Sequence, residues 1–133
     1  MGLQDEIQNR LVADAESILE ENINSVENLF QLHEDGSINL NADVRKLSSE
    51  DQILMYLIAE RYAYEGGMSD SPSLGNDFFY DRLNVKKSTI RGYLKNLRDE
   101  RFVRGTDNGQ EIVTENISLS IDRIKDNVEQ QMF

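Results

Sequence analysis

The segment from Lys87 to Glu100 has the pattern that most constrains how this chain can fold. Its apolar residues recur at helical spacing and fall on one side of a helix: Ile90, Tyr93, Leu94 and Leu97. The opposite side carries small, polar and basic residues, namely Ser88, Arg91, Gly92, Lys95 and Asn96. A helix of this kind buries one face in a core and leaves the other face exposed.

Basic residues are concentrated in the same part of an otherwise acidic chain. The 133 residues have a formal net charge of −11, yet residues 82–104 contain eight of the 14 Lys and Arg residues and only two acids. These eight bases are Arg82, Lys86, Lys87, Arg91, Lys95, Arg98, Arg101 and Arg104. A run of like charge is most often only a solvated face. A basic segment in an acidic protein, however, also indicates a surface for a polyanion.

Composition excludes several classes of site. The length predicts one domain with a single core. Because the chain has no cysteine, disulfides, thiolate metal sites and cysteine nucleophiles are excluded. The N-terminus lacks the pattern of a secretory signal, and we expect a cytoplasmic protein without a membrane segment. No spacing of carboxylates or histidine predicts catalysis, a metal or another cofactor, so we expect a protein that is not an enzyme.

Hydrophobic periodicity predicts further helices on both sides of this segment. Residues 3–24 are expected to form one amphipathic helix, and a short extended piece is expected after the Asp35–Gly36 turn. A second helix is predicted to begin near Ser48 and to end at Gly66–Gly67. A last helix is predicted over 117–130.

The region between these helices predicts a compact series of short elements. Residues 76–83 are expected to form a short helix, followed by Asn84, a residue able to take left-handed backbone angles. After the helix that begins at Lys87, residues 102–104 and 111–114 are two β-prone runs. Residues 106–110 lie between them and contain Asn108–Gly109, which favours a hairpin.

The order and the residues of these elements resemble the winged helix-turn-helix family. Residues 79–85 (FYDRLNV) are similar to its first helix and turn. Residues 88–97 (STIRGYLKNL) are similar to its recognition-helix pattern S-T-V-x-x-x-L-x-x-L, and residues 98–103 (RDERFV) to its exit x-D-E-G-hydrophobic-V. The resemblance covers about residues 49–114, and the whole chain is similar to small archaeal, transcription-regulator-like members of the family.

The resemblance implies a mainly α protein with a small β-wing. Together with the apolar stripes of the terminal helices, it divides the chain into an N-terminal dimerisation segment (1–47), a winged helix-turn-helix domain (48–114) and a C-terminal helix (115–133). Three features depart from the family pattern. Tyr80 stands where the family usually has a small residue, often alanine, which implies wider packing of the two helices or a rotated short helix. Arg101 stands where the family has glycine, so it is expected to be left-handed or to fray the helix end. The wing tip contains Asp107 and lacks a base, which argues against a wing contact with DNA.

The expected function is binding of double-stranded DNA by a transcriptional regulator, with helix 87–100 in the major groove. The candidate DNA-binding residues are Lys86, Lys87, Ser88, Thr89, Arg91, Gly92, Lys95, Asn96, Arg98, Arg101 and Arg104. We expect a homodimer through the terminal helices, which would place two recognition helices about 34 Å apart. The alternative is a winged-helix module that binds an acidic protein partner instead of DNA.

Overall fold

The computed structural model describes residues 2–11 and 14–131, which form a mainly helical protein with two small antiparallel sheets. The helices are α1 (Leu3–Arg10), α2 (Ala15–Glu21), α3 (Ile23–Val26), α4 (Ala42–Arg45), α5 (Ser49–Glu65), α6 (Asn76–Arg82), α7 (Lys87–Asp99) and α8 (Ile117–Gln131). The strands are β1 (Phe30–Leu32), β2 (Ile38–Leu40), β3 (Val103–Thr106) and β4 (Gly109–Ile112). Among the described residues, no helix combines the length and the apolar character needed to cross a membrane.

The predicted continuous helix over residues 3–24 is wrong. The chain instead forms α1, α2 and α3, with residues 12 and 13 outside the described residues. Asp14 lies in extended conformation before α2, and its carboxylate accepts a hydrogen bond from the Ser17 N–H (2.7 Å). This N-cap starts a new helix, because the carboxylate satisfies a backbone N–H that a continuous helix would have paired with a carbonyl.

Helix α5 is the centre of the protein and has the predicted ends. Ser48 caps it by accepting a hydrogen bond from the Asp51 N–H (3.2 Å). At its C-terminus Gly67 is left-handed (φ +79°), and the Met68 N–H donates to the Ala63 carbonyl (2.8 Å). This is a Schellman cap, in which glycine supplies the left-handed position. The buried residues of α5 lie all round the helix, so the other elements pack against several of its sides.

The first sheet pairs β1 with β2 in antiparallel register, with Phe30 opposite Leu40. The extended piece after Asp35–Gly36 is confirmed as β2, whereas its partner β1 was not predicted. Gly36 is left-handed (φ +88°) in the connecting turn. A side chain there would begin 2.6 Å from the Met68 carbonyl oxygen, so the turn requires glycine for space as well as for conformation.

The elements predicted from residue 76 onward are confirmed, with two corrections. Arg101 is the one described non-glycine residue with positive φ, so Asn84 does not take the left-handed conformation. The hairpin strands β3 and β4 pair as far as Thr106 opposite Gly109. The turn residues are therefore Asp107 and Asn108 rather than Asn108–Gly109. Leu74, from the loop before α6, extends this sheet by an isolated antiparallel bridge to Gln110.

The predicted C-terminal helix is confirmed as α8, but its apolar stripe is not left for a partner. Ile117, Ile121 and Ile124 are buried in the same cluster as the residues of α5. Leu19 and Val26 from the N-terminal segment belong to that cluster as well. Residues from all three predicted segments thus share one core. Among the described helices, α1 is the one in which every residue is exposed.

An ion cluster fastens α8 to the N-terminus of α5 and to the end of α7. The Arg123 guanidinium donates to Glu50 (2.8 Å), Asp51 (2.9 Å) and Glu100 (3.1 Å). Burial of Arg123 opposes its ionisation, but the hydrogen bond with Glu50 and the charge of Asp51 outweigh burial and raise its pKa. Asn127 donates a further hydrogen bond to Asp51 (2.8 Å), which is almost completely buried.

Candidate nucleic-acid interface

Helix α7 has the buried and exposed sides that its sequence predicted. Ile90, Leu94 and Leu97 are buried, and Tyr93 is half-buried. This side packs against α5 and α6 and connects directly to β3. Thirteen residues give a helix about 20 Å long. The apolar side of this helix holds it on the core.

The opposite side of α7 is open to solvent along its whole length. We call it the α7 front and define it as Ser88, Arg91, Gly92, Lys95 and Asn96, all of which are exposed. Thr89 is half-buried. The remaining candidates, which lie around the front and toward the β3–β4 hairpin, are all exposed: Lys86, Lys87, Arg98, Arg101 and Arg104. The exposed candidates of α7 therefore share one side of this helix, whereas Arg101 follows α7 and Arg104 lies in β3.

Most of the basic side chains at this surface form no ion pair with the described residues. Lys86, Lys87, Arg91 and Arg101 form no ion pair with any described residue. Lys95 pairs with Asp99 one turn later (3.1 Å), but both side chains are more than half exposed. Exposed pairs of this type are weak, at about 0.3–0.5 kcal/mol, so Lys95 can exchange Asp99 for a stronger anion.

The N-terminus of α7 has unpaired backbone donors next to two lysines. Lys86 occupies the N-cap position, and no side chain among the described residues caps the first turn. The Lys87 ammonium lies 5.2 Å from the centre of the Tyr80 ring of α6, which favours a cation above it. Uncapped N–H groups and the positive end of the helix dipole attract an anion at this position.

Gly92 does not relieve a clash with the rest of the protein. A Cβ atom at Gly92 would have none of the described atoms beyond the local helix within 4 Å. Glycine in a helix interior is nevertheless less favourable than alanine by about 0.8–1 kcal/mol. Packing therefore gives no reason for glycine here, whereas close approach of another molecule to the helix backbone would.

The side chains of Arg98 and Arg104 both contact residues of β4, which the sequence did not indicate. Arg98 donates a hydrogen bond to the Gln110 side chain (3.2 Å). Arg104 lies directly across the hairpin from Glu111, and the two side chains form an ion pair in which Glu111 is buried. Because the charge of Arg104 is compensated, this residue is a weaker candidate for phosphate contact than the α7 lysines.

Arg101 is left-handed, as the departure from the family pattern predicted. Its φ is +66°, its N–H donates to the Arg98 carbonyl (3.0 Å), and the Phe102 N–H donates to the Leu97 carbonyl (3.0 Å). These two hydrogen bonds form the same Schellman cap that ends α5, where the left-handed residue is Gly67. An arginine in this position costs about 1 kcal/mol relative to glycine.

The two acids within the basic segment are each paired with a cation. Asp99 is paired with Lys95, and Glu100 is held by Arg123 of α8. Arg123 lies outside the basic segment, so its pairing with Glu100 leaves more uncompensated positive charge near Arg101. Sequence reasoning missed this role of Arg123, because the partners Glu50, Asp51 and Glu100 are 23 to 73 residues away.

Arg82 belongs to the basic segment but serves the structure of α6. Its guanidinium stacks 3.7 Å from the centre of the Phe78 ring and donates to the Phe78 carbonyl (3.3 Å).

Within residues 2–11 and 14–131, no group of three or more His, Asp and Glu side chains is arranged to hold a metal ion. The candidate site is the exposed, basic side of α7.

No protein-family model, no curated protein and no solved structure matches the chain.

Proposed function

We propose that this protein binds double-stranded DNA as a homodimer, with the α7 front in the major groove, and acts as a transcriptional regulator. The observation that carries the proposal is the α7 front itself. It is exposed along about 20 Å of helix, it is flanked by unpaired cations, and at Gly92 its backbone is open to a neighbouring molecule. The major groove of B-DNA, about 12 Å wide, admits an α-helix.

The order of elements supports the resemblance to the winged helix-turn-helix family. Helix α5 is followed by α6, a tight turn, α7 and the β3–β4 hairpin, in the order that the resemblance implies. In such an arrangement α6 lies behind α7, and α7 enters the groove. Lys86, Lys87 and Lys95 would contact phosphates, whereas Arg91 and Asn96 have the donors that read guanine and adenine edges.

The net charge of the protein does not oppose this binding. Charges farther apart than about 8–10 Å are largely screened at physiological ionic strength. Both acids of the basic segment, Asp99 and Glu100, are paired with cations. Helices α1 and α2, which carry several of the acids, make no extensive packing contact with α7. DNA would therefore meet a locally positive surface.

A salt series of duplex binding tests the proposal. Anisotropy of a labelled mixed-sequence duplex would be measured between about 50 and 200 mM salt for the wild type and for Lys87→Ala, Arg91→Ala and Lys95→Ala. Each substitution should weaken binding, and loss of a phosphate contact should reduce the slope of log K against log[salt] by about 1. Lys125→Ala, which removes one exposed base from α8, is the matched control.

Two outcomes would reject DNA binding. In the first, the wild type binds no duplex at about 50 mM salt, where electrostatic binding is strongest. In the second, the three α7 substitutions weaken binding no more than Lys125→Ala does. Either outcome would leave the α7 front as a surface for an acidic protein partner.

A further inference from the structure

Helix α1 presents an apolar stripe that the rest of the described chain does not cover. Leu3, Ile7 and Leu11 are 74%, 39% and 78% exposed. They follow one another at intervals of four residues and line one face of the helix together with Glu6 and Arg10. An amphipathic helix with this exposure is stable when its apolar face is covered.

The positions of the charged residues on α1 indicate what kind of surface would cover the apolar stripe. Seen along the helix, Glu6 and Arg10 lie on one flank of the stripe, whereas Gln4 and Gln8 lie on the other. In a two-fold antiparallel pair of α1 helices, like flanks meet across the interface. Arg10 of one copy would then lie beside Glu6 of the second copy, twice in each dimer.

A parallel pair would not have this complementarity. It would bring the flank with Glu6 and Arg10 against the flank with Gln4 and Gln8, which carries no charge. Antiparallel pairing also places Ile7 near the two-fold axis and sets Leu3 against Leu11. Apolar and charged contacts are therefore both satisfied by a single arrangement.

We infer that two copies of this chain associate through an antiparallel pair of α1 helices centred on Ile7. This inference rests on the homodimer in the proposed function and specifies its interface. Helix α8, the other helix expected to dimerise, buries its isoleucines within its own chain. Eight residues span only about 12 Å. The interface is consequently smaller than the about 1,200 Å² of a stable dimer, and the pair is expected to be weak.

Sedimentation equilibrium without DNA, at concentrations up to several hundred micromolar, tests the pairing separately from DNA binding. We expect a monomer–dimer equilibrium that Ile7→Asp abolishes. Glu6→Arg and Arg10→Glu should each weaken the dimer about tenfold, because each replaces two attractive contacts with repulsive ones. The double variant Glu6→Arg/Arg10→Glu should restore it, and Lys125→Glu on α8 should leave it unchanged.

The direction of pairing is tested by disulfide cross-linking. Because the chain has no cysteine, only the introduced cysteines can form disulfides. Leu3→Cys and Leu11→Cys are eight residues apart, about 12 Å along the helix, whereas a disulfide needs Cα atoms within about 7 Å. A mixture of the two variants should form the mixed disulfide faster than either variant forms its own dimer. Faster like-with-like cross-linking would overturn the antiparallel arrangement.

A wild-type protein that stays monomeric at all concentrations would overturn the pairing itself. So would a dimer that Ile7→Asp and the charge reversals leave intact. No residue of α1 is buried, so these variants should keep the folded core, and an unchanged thermal transition verifies this. A monomer that still binds duplex DNA would reject the α1 pair and leave the DNA-binding proposal standing.

Discussion

Replacing Gly92 with alanine separates the stability of α7 from its use as a binding surface. The added methyl group would project from the α7 front into space where none of the described atoms beyond the local helix lies within 4 Å. Five residues of α7 precede Gly92 and seven follow it, so the full helix-interior preference applies. Gly92→Ala should therefore raise the free energy of unfolding by about 0.8–1 kcal/mol.

Urea denaturation followed by circular dichroism measures this change. With a slope of about 2 kcal/mol/M, the midpoint should rise by about 0.4–0.5 M while the slope stays constant. The thermal midpoint should rise by about 3–5 °C. The matched control is Gly109→Ala, where φ is +133° and the new Cβ would clash with the Leu74 carbonyl oxygen. The same chemical change should destabilise the protein there.

The affinity of Gly92→Ala for duplex DNA is the second measurement. If the DNA backbone or a base edge approaches Gly92 closely, the methyl group should reduce affinity about tenfold, equivalent to about 1.4 kcal/mol. A variant that is more stable but binds as tightly as the wild type would contradict close approach at Gly92. A variant with an unchanged or lower urea midpoint would refute the stability reasoning from which the argument starts.

Three further substitutions test the packing and electrostatics around the site. Arg101→Gly should stabilise the α7 cap by about 0.5–1 kcal/mol in urea denaturation and weaken duplex binding, because it relieves the left-handed arginine and removes a cation; a loss of stability would contradict this. Arg123→Ala should cost about 2–4 kcal/mol, since it leaves Asp51 buried without its cation, whereas Lys125→Ala on the same helix should stay within about 0.5 kcal/mol. Burial raises the pKa of Glu60 above its ordinary 4.5. The folded protein therefore holds that proton to higher pH than the unfolded chain does, and stability falls as pH rises from 4.5 through the raised pKa. Glu60→Gln should remove that fall and gain stability at pH 7, and an unchanged pH profile would show that Glu60 is not the cause.

The position of Arg123 shows why sequence alone gives an incomplete description of the site. Its periodic neighbours Ile121 and Ile124 predict a helix, and α8 is there. Nothing in the local pattern, however, indicates that Arg123 reaches Glu50, Asp51 and Glu100. The angles at which the helices cross determine which side chains meet. These angles depend on the packing of the whole core rather than on the spacing of residues within one helix.

Local signals determined the helices with strong caps and regular periodicity. Ser48 and Gly67 mark the ends of α5 because a hydroxyl cap and a left-handed glycine act within a few residues. The two sides of α7 likewise follow from its sequence, since one turn repeats every 3.6 residues. The basic α7 front and its glycine were therefore identifiable without coordinates.

Tertiary structure alone decided which apolar stripes are covered and which cations remain unpaired. The sequence shows similar apolar stripes in α1 and α8, yet α8 packs on α5 while α1 stays exposed. It shows equivalent bases at Arg91 and Arg104, yet Glu111 across the hairpin neutralises only Arg104. Both outcomes depend on contacts between residues distant in sequence, which a periodic pattern does not encode.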